Sequence, residues 1–180
     1  MKHKIHKLYM AWEYAEEERW LNEMAAKGLH LTGLSFGSYT FTEGEPGAFI
    51  YRLEMLPHLP THPESVAYIR FMEETGAEMV DSLKSWVVFR RPVSEGPFDL
   101  FSDLDSRITH LTRILRLLIP LLILELFAGV YNLAFGIAFL SWPNIICSVP
   151  LFLLGIAILC GAVRIGRARK KLINERNIRE

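Results

Sequence analysis

Two histidines and a glutamate are the residues of the soluble part whose types and spacing best suit chemistry. His58, His62 and Glu64 lie within seven residues, and two imidazoles with a carboxylate are a ligand set for a divalent transition metal. A helix would put both histidines on one face, but proline interrupts a helix interior. The same segment contains Pro57, Pro60 and Pro63. We therefore predict a solvated proline-rich loop and no metal site.

The other candidates for catalysis have simpler structural interpretations. The run Glu16–Glu18 cannot form a cation cage, because successive helix positions diverge by about 100°. The pair Gly44 and Gly47 lacks the Lys-Ser/Thr and the helix of a phosphate-binding loop. No nucleophile elbow is present, and Cys147 and Cys160 lie in an apolar run, where packing explains them. We predict no catalytic residue and no cofactor.

Charge argues against a nucleic-acid partner. Aromatic and arginine side chains alternate in the first half of the chain in a way that resembles an RNA-binding sheet. Residues 1–100, however, carry 10 basic and 15 acidic side chains, a net charge of −5. Attraction to phosphates supplies most non-specific affinity for nucleic acids, so we predict no nucleic-acid binding.

A long apolar run excludes a soluble single domain. The 47 residues between Arg116 and Arg164 contain one charged side chain, Glu125. The run divides at Ser141–Asn144, whose Trp-Pro-Asn sequence favours a turn. The segments 117–140 and 145–163 correspond to roughly 36 and 28 Å of helix at about 1.5 Å per residue. Each can cross a hydrocarbon core of about 30 Å, so we predict a transmembrane hairpin over 117–163.

Basic residues on both sides of the hairpin predict its orientation. The turn between the spans has no Lys or Arg, and positive loops stay in the cytoplasm. We predict a multi-pass membrane protein with both termini cytoplasmic. The amino terminus has no signal peptide, because Trp12 and Glu13 stand where an apolar segment would follow Lys7. The candidates to bind lipid headgroups are Arg113, Arg116, Arg164, Arg167, Arg169, Lys170 and Lys171.

Polar and small residues inside the spans predict helix–helix contacts. Glu125 and Asn132 are seven residues apart and share a helix face. An acid within a span usually faces a partner or a cavity, so we predict a polar contact there, and an ion or proton site is the alternative. Small residues at regular spacing allow helices to approach closely. The candidates for such packing are Gly129, Gly136, Ala157 and Gly161.

Hydrophobic periodicity predicts an α+β domain before the hairpin. Residues 1–98 follow the order β-α-β-β-β-α-β-β, which indicates a two-layer antiparallel sheet with two helices. The first strand is predicted over 5–12. A first helix is predicted over 13–27, ended by Gly28, with an apolar stripe of Trp20, Leu21, Met24 and Ala25. A second helix is predicted over 64–75, with an apolar stripe of Val66, Ile69 and Met72. A juxtamembrane helix over 99–116, with a capping box of Ser102 and Asp105, connects to the first span. A basic cytoplasmic tail, 164–180, follows the second.

Several of these segments resemble one bacterial family. The chain is similar over about residues 5–115 to the family catalogued as "domain of unknown function 2812", whose members often carry a two-span hairpin after the domain. The resemblance rests on the strings 18–31 (ERWLNEMAAKGLHL), 39–41 (YTF), 45–46 (EP), 51–52 (YR), 86–90 (WVVFR) and 101–103 (FSD), and on the turn at Gly76. Leu29 departs from the aromatic residue expected there.

The resemblance implies a regulatory or stress-response setting, because members are often encoded beside PadR-type repressors. It supplies no catalytic residues. We predict a membrane-anchored, non-catalytic protein-interaction module whose partners are membrane lipids and a protein, or a second copy bound through the hairpin. A small-molecule ligand is left open. Two alternatives also stay open, an inner-leaflet enzyme that acts on lipids and an accessory subunit of a transporter that uses Glu125.

Overall fold

The chain forms two compact units in the computed structural model, which describes residues 1–101 and 103–179. The first unit is Met1–Ser106 and the second begins at Arg107. The predicted helix cap at Ser102 lies outside the described residues. The domain boundaries proposed at 98, 116 and 163 stay predictions.

The first unit has the predicted order of strands and helices. Its strands are β1 (Lys2–His6), β2 (Leu29–Ser35), β3 (Ser38–Glu43), β4 (Phe49–Met55), β5 (Glu78–Leu83) and β6 (Trp86–Pro92). Its helices are α1 (Tyr14–Ala26) and α2 (Pro63–Glu74). The α+β class is therefore confirmed, and the helix bounds agree with the prediction to within one residue.

The six strands form two antiparallel sheets of three strands each. The strand order is β1-β3-β2 in one sheet and β4-β6-β5 in the other. The pairing register shifts by one residue between Leu31 and Gly33 in β2, and again between Met79 and Asp81 in β5. Beside these bulges, the carboxylate of Asp81 accepts a hydrogen bond of 2.6 Å from the backbone N–H of Leu34. Asp81 thus links strands β2 and β5, the neighbouring edges of the two sheets.

The first strand is shorter than predicted. It ends at His6 instead of Trp12, because residues 10–13 fold into a turn. The Glu13 carboxylate accepts a 2.9 Å hydrogen bond from the backbone N–H of Met10, and the Glu13 N–H donates one of 2.7 Å to the Met10 carbonyl. These two bonds bend the chain into a short 3-10 helix, Ala11–Glu13, that leads into α1.

Two apolar clusters form the core of this unit. The larger packs α1 against β2, β3 and β4 through Leu21, Met24, Ala25, Leu31, Tyr39, Phe41, Tyr51, Leu53 and Val88. The smaller comprises Leu56, Met72, Ala77, Val87, Phe89 and Phe98. In the predicted α1 stripe, Leu21, Met24 and Ala25 are buried, and Trp20 is partly buried against the same cluster. In α2 the buried positions are Ser65 and Met72, and Val66 is 43% exposed, so the predicted place of Val66 in the stripe was wrong.

Helix α1 ends at a glycine that no other residue replaces easily. Gly28 has φ +79°, a backbone conformation that glycine adopts without strain. A Cβ on Gly28 would also lie 2.7 Å from the carbonyl oxygen of Gly44. The close approach brings the β3–β4 turn against the end of α1, where the Gly47 N–H donates to the Ala25 carbonyl at 2.8 Å.

The second unit consists largely of two long helices. Helix α3 spans Leu104–Ala138 and α4 spans Trp142–Arg179. Helix α3 continues without a break from the end of the first unit into the apolar run, as the predicted juxtamembrane helix requires. The connection between α3 and α4 falls at the predicted Ser141 turn, with Asn144 Nδ2 donating to Ser141 Oγ at 2.7 Å.

Candidate functional site

The predicted polar and small residues of α3 lie on one face, and α4 covers that face. Gly129 and Gly136 are buried, whereas Glu125 and Asn132 are partly buried. A Cβ on Gly129 would lie 3.1 Å from the Phe152 ring of α4. The spacing of 4, 3 and 4 residues is that of a helix–helix seam. The close approach predicted from the glycines therefore occurs within one hairpin.

Glu125 lies against the backbone of α4. A Cβ built on Gly155 would be 4.0 Å from Glu125 Cβ and 3.4 Å from Leu126 Cδ2. The Oε2 atom of Glu125 is buried, and no residue within the described ranges hydrogen-bonds it. Asn132 donates from Nδ2 to the Ala128 carbonyl of its own helix, at 2.9 Å. The structure therefore does not join Glu125 to Asn132 directly.

The small residues of α4 do not share one covered face. Gly161 is buried, but Ala157 is exposed. The other buried positions of this helix near its middle are Gly155, Ile158 and Ile165. The covered face of α4 thus includes Gly155, which the sequence analysis did not single out. Gly155 lies three residues before Ile158 and six before Gly161, and this spacing could have placed it on the same helix face from the sequence alone.

The basic residues that flank the hairpin divide into two groups. Arg169 contacts α3, because its Nε donates a 2.8 Å hydrogen bond to Thr112 Oγ1. Arg113 is partly buried. The exposed members of the set are Arg116, Arg164, Arg167, Lys170 and Lys171. Lys171 also approaches Glu175 of the same helix at 4.0 Å. The exposed side chains stay the candidates to bind lipid headgroups.

Helices α3 and α4 are each long and apolar enough to cross a membrane. In the most apolar window of each helix, only 17% of α3 and 22% of α4 is buried within the chain. A core helix of a soluble protein hides most of its apolar surface. The exposed apolar residues include an aromatic row of Phe127, Tyr131 and Phe135 on α3 and Phe139 just after it. The successive ring centroids of this row are 6.4, 6.1 and 4.5 Å apart.

In the first unit, two polar residues of α1 bind the open edge of strand β4. Asn22 exchanges two hydrogen bonds with the backbone of Tyr51, and the Glu18 carboxylate accepts one of 3.0 Å from the Leu53 N–H. Arg52 adds an ion pair with Glu18 at 3.3 Å. Burial raises the pKa of Glu18 above its ordinary value, against the opposing effects of the Leu53 and Arg52 contacts. Sequence analysis predicted neither contact.

A second polar cluster surrounds Tyr51 and Phe49. The Tyr51 hydroxyl accepts a 3.0 Å hydrogen bond from the Leu31 N–H, and burial raises its pKa. Arg90 lies 4.4 Å from the centre of the Phe49 ring and forms a two-pronged ion pair with Glu78, at 2.8 and 2.9 Å. These contacts join β2, β4, β5 and β6 and so connect the two sheets.

His30 lies beside this cluster. It is 6% exposed, its ring stands edge-on to Phe49 at 5.1 Å, and its Nε2 is 2.9 Å from the Glu45 carbonyl oxygen. A hydrogen bond from Nε2 to this carbonyl holds the β3–β4 turn in place. We assign His30 a structural role.

The proline-rich loop brings the side chains of His58, His62 and Glu64 together. One ligand atom from each lies within 4.8 Å of the other two, and all three residues are at the surface. The imidazole centroids of His58 and His62 are 4.1 Å apart. The prolines prevent a helix here. Instead, a turn brings the two rings together, and this turn is closed by a 2.9 Å hydrogen bond from the His62 N–H to the Leu59 carbonyl.

Comparison with known families gives one match. The family described as "Protein of unknown function (DUF2812)" matches residues 13–123, more than half of the chain. The chain belongs to the DUF2812 family. No curated protein and no solved structure matches it. The matched segment of this DUF2812 protein runs from the turn before α1, through both sheets, into the apolar part of α3.

Proposed function

We propose that this DUF2812 protein is a membrane-anchored protein-interaction module with a regulatory role and no catalytic activity of its own. Helices α3 and α4 would form a two-span hairpin in a bacterial inner membrane, with both termini cytoplasmic. The first unit would then recruit a protein partner at the inner surface. From the family resemblance alone, we propose that this partner belongs to a pathway controlled by a PadR-type repressor.

The observation that carries this proposal is the continuity of α3. One helix of 35 residues begins at Leu104, at the end of the first unit, and continues through most of the first apolar segment to Ala138. A continuous helix transmits displacement and rotation, whereas a flexible linker does not. The arrangement therefore suits a protein that couples an event in the membrane to a cytoplasmic surface, or the reverse.

The use of polar side chains in the first unit supports a non-catalytic role. Asn22 and Glu18 bind the edge of β4, and Asp81 connects β2 to β5. Glu54 is 4% exposed and accepts a 2.6 Å hydrogen bond from the Tyr68 hydroxyl. Each of these groups has a structural function, which leaves them poorly placed to act on a substrate.

Topology is the first test of the proposal. Reporters that are active only in the cytoplasm, fused before Met1 and after residue 180, should both be active. A reporter inserted at Trp142, the first residue of α4, should be inactive, because the connection between α3 and α4 has no basic residue to retain it in the cytoplasm. An active reporter at Trp142 would contradict the proposed orientation.

Partner recruitment is the second test. A photo-crosslinking amino acid at Phe36 or Phe71, aromatic side chains that are 79% and 58% exposed, should give a discrete adduct in intact cells. A matched chain in which 117–163 is replaced by an unrelated hairpin should keep the adduct if the first unit recognises the partner. Absence of an adduct from both positions, in chains that reach the membrane, would contradict the interaction role.

A further inference from the structure

We propose that His58, His62 and Glu64 form a surface site for a divalent transition-metal ion such as Zn²⁺. The site is independent of the membrane hairpin and of the interaction role. It arises from the loop between β4 and α2 and from the first turn of α2, where three residues of metal-binding chemistry converge.

The distances are close to those of a coordinated ion. His58 Nε2 and Glu64 Oε2 are 3.4 Å apart. Two ligands of a tetrahedral zinc ion, each about 2.0–2.1 Å from the metal, are themselves separated by roughly 3.3–3.5 Å. The longest separation in the cluster is within 4.8 Å. An exposed imidazole closes that difference by rotating its side chain, with no movement of the backbone.

The backbone around the site is already restricted. Pro60 occupies the second position of the turn that the His62 N–H closes on the Leu59 carbonyl, and Pro63 is the first residue of α2. Proline holds φ near −65°, so the loop loses little further freedom when a ligand binds. A preorganised loop increases affinity because less ordering is needed.

The donor set selects the class of ion. Two imidazoles favour zinc, copper, nickel and cobalt, whereas magnesium and calcium prefer oxygen ligands. Three protein ligands leave at least one position for water. The positive end of the α2 dipole opposes a cation here, and the negative charge of Glu64 offsets this effect.

Coordination competes with the cap of helix α2. His62 is the residue before α2, and its Nδ1 accepts a 3.3 Å hydrogen bond from the Glu64 N–H. A neutral ring that accepts at Nδ1 carries its proton on Nε2. A metal at Nδ1 therefore replaces the cap, and a metal at Nε2 requires the proton to move to Nδ1. Either route exchanges a long hydrogen bond for a metal–nitrogen bond.

The test uses the full chain without an affinity tag, purified in detergent and freed of metal by a chelator. Cobalt chloride is titrated and followed by the visible absorption of the ion, and zinc chloride is then added as a competitor. We expect one Co²⁺ per chain, displaced by Zn²⁺ and not by Mg²⁺. His58→Gln and Glu64→Gln should each weaken binding by about tenfold or more, since even contacts behind the ligands contribute 10–100-fold.

Two matched variants separate metal binding from folding. His62→Ser removes a ligand but supplies a strong helix cap, so it should weaken cobalt binding while the far-ultraviolet circular dichroism stays unchanged. His3→Ala breaks the other close histidine–carboxylate pair of the described residues, His3 with Glu43 at 2.7 Å, and should leave cobalt binding unchanged. Wild-type affinity in any of the three site variants, or no cobalt binding by the wild-type chain, would overturn the proposal.

Discussion

The side-chain amide of Asn22 forms both hydrogen bonds that a neighbouring strand would form with Tyr51. Asn22 Nδ2 donates to the Tyr51 carbonyl at 3.0 Å, and the Tyr51 N–H donates to Asn22 Oδ1 at 2.9 Å. One helical turn earlier, Glu18 accepts from the Leu53 N–H. Four helical residues rise about 6.0 Å and two strand residues about 6.6 Å. Because these two rises are similar, side chains four residues apart on α1 can bind residues two apart on β4, and α1 covers the edge of that strand.

We predict that Asn22→Ala exposes this edge. The change removes the acceptor of the Tyr51 N–H, at a cost of about 1–3 kcal/mol for a part-buried group. The Tyr51 carbonyl keeps the 3.2 Å hydrogen bond from Arg52. Hydrogen exchange measured on the full chain should show faster exchange at Tyr51 and Leu53. Glu23→Ala, at an exposed position of the same helix, is the matched control. Equal protection of β4 in both variants would contradict the role of Asn22.

Glu17 should make the first unit less stable as pH rises. Burial raises the pKa of its carboxyl above 4.5, and the 2.7 Å hydrogen bond from the Tyr39 hydroxyl only partly opposes this. A raised native pKa gives a stabilising contribution that is complete below the unfolded value and is lost as pH rises through the native value.

Glu17→Gln keeps an acceptor for Tyr39 and has no charge to bury. We expect its unfolding temperature to fall less between about pH 4 and neutrality than that of the wild type. A smaller dependence of the unfolding temperature on pH should remain in the variant, because burial also raises the pKa of Glu18. Glu23→Gln at an exposed position serves as the control. A pH dependence identical in Glu17→Gln and wild type would show that burial of Glu17 has no energetic effect.

Replacement by alanine should disturb helix packing at one glycine of the hairpin and be tolerated at another. A Cβ on Gly136 would lie 2.9 Å from the backbone nitrogen of Ile145, which cannot rotate away. A Cβ on Gly155 would meet Leu126 at 3.4 Å, an ordinary contact. We therefore expect Gly136→Ala to separate α3 from α4 near the turn, at about 1–3 kcal/mol of strain, and Gly155→Ala to be tolerated.

Spin labels at Ile137 and Ile146, which are both exposed, would measure the separation of α3 and α4 in bilayers. Gly136→Ala should lengthen or broaden the distance distribution, whereas Gly155→Ala should reproduce that of the wild type. Identical distributions for both variants would mean that the helices do not pack through Gly136.

Glu125 should govern assembly more than chemistry. Its carboxylate lies on the covered face, with one buried oxygen beside α4, and such a group needs a proton or a donor. Glu125→Gln keeps hydrogen bonding and should preserve helix packing and any complex. Glu125→Leu should weaken them by about 1 kcal/mol per lost bond. If Glu125→Gln abolishes function while assembly measured in bilayers is unchanged, Glu125 is an ion or proton site.

Sequence analysis predicted most of the fold where the signal is local. The order of the elements follows from hydrophobic periods, the end of α1 from Gly28, and the two long helices from an uncharged run of sufficient length. The miss in β1 is also local. Its apolar and aromatic residues continue to Trp12, but the hydrogen bond from the Met10 N–H to the Glu13 carboxylate competes with the strand. A prediction from strand propensity does not take such a bond into account.

The residues that matter for function were decided by tertiary structure. The seven-residue spacing of Glu125 and Asn132 placed them on one face of α3. The spacing did not predict that α4 of the same chain covers this face. Sequence analysis did not predict the contacts of Glu18 and Asn22, because the edge of β4 that they bind is about thirty residues away in sequence. The prolines around His58 and His62 excluded a helix, and the turn at Leu59 brought the rings together. Local patterns report local energies, whereas the contacts of Glu125, Glu18 and Asn22 depend on where distant backbone lies.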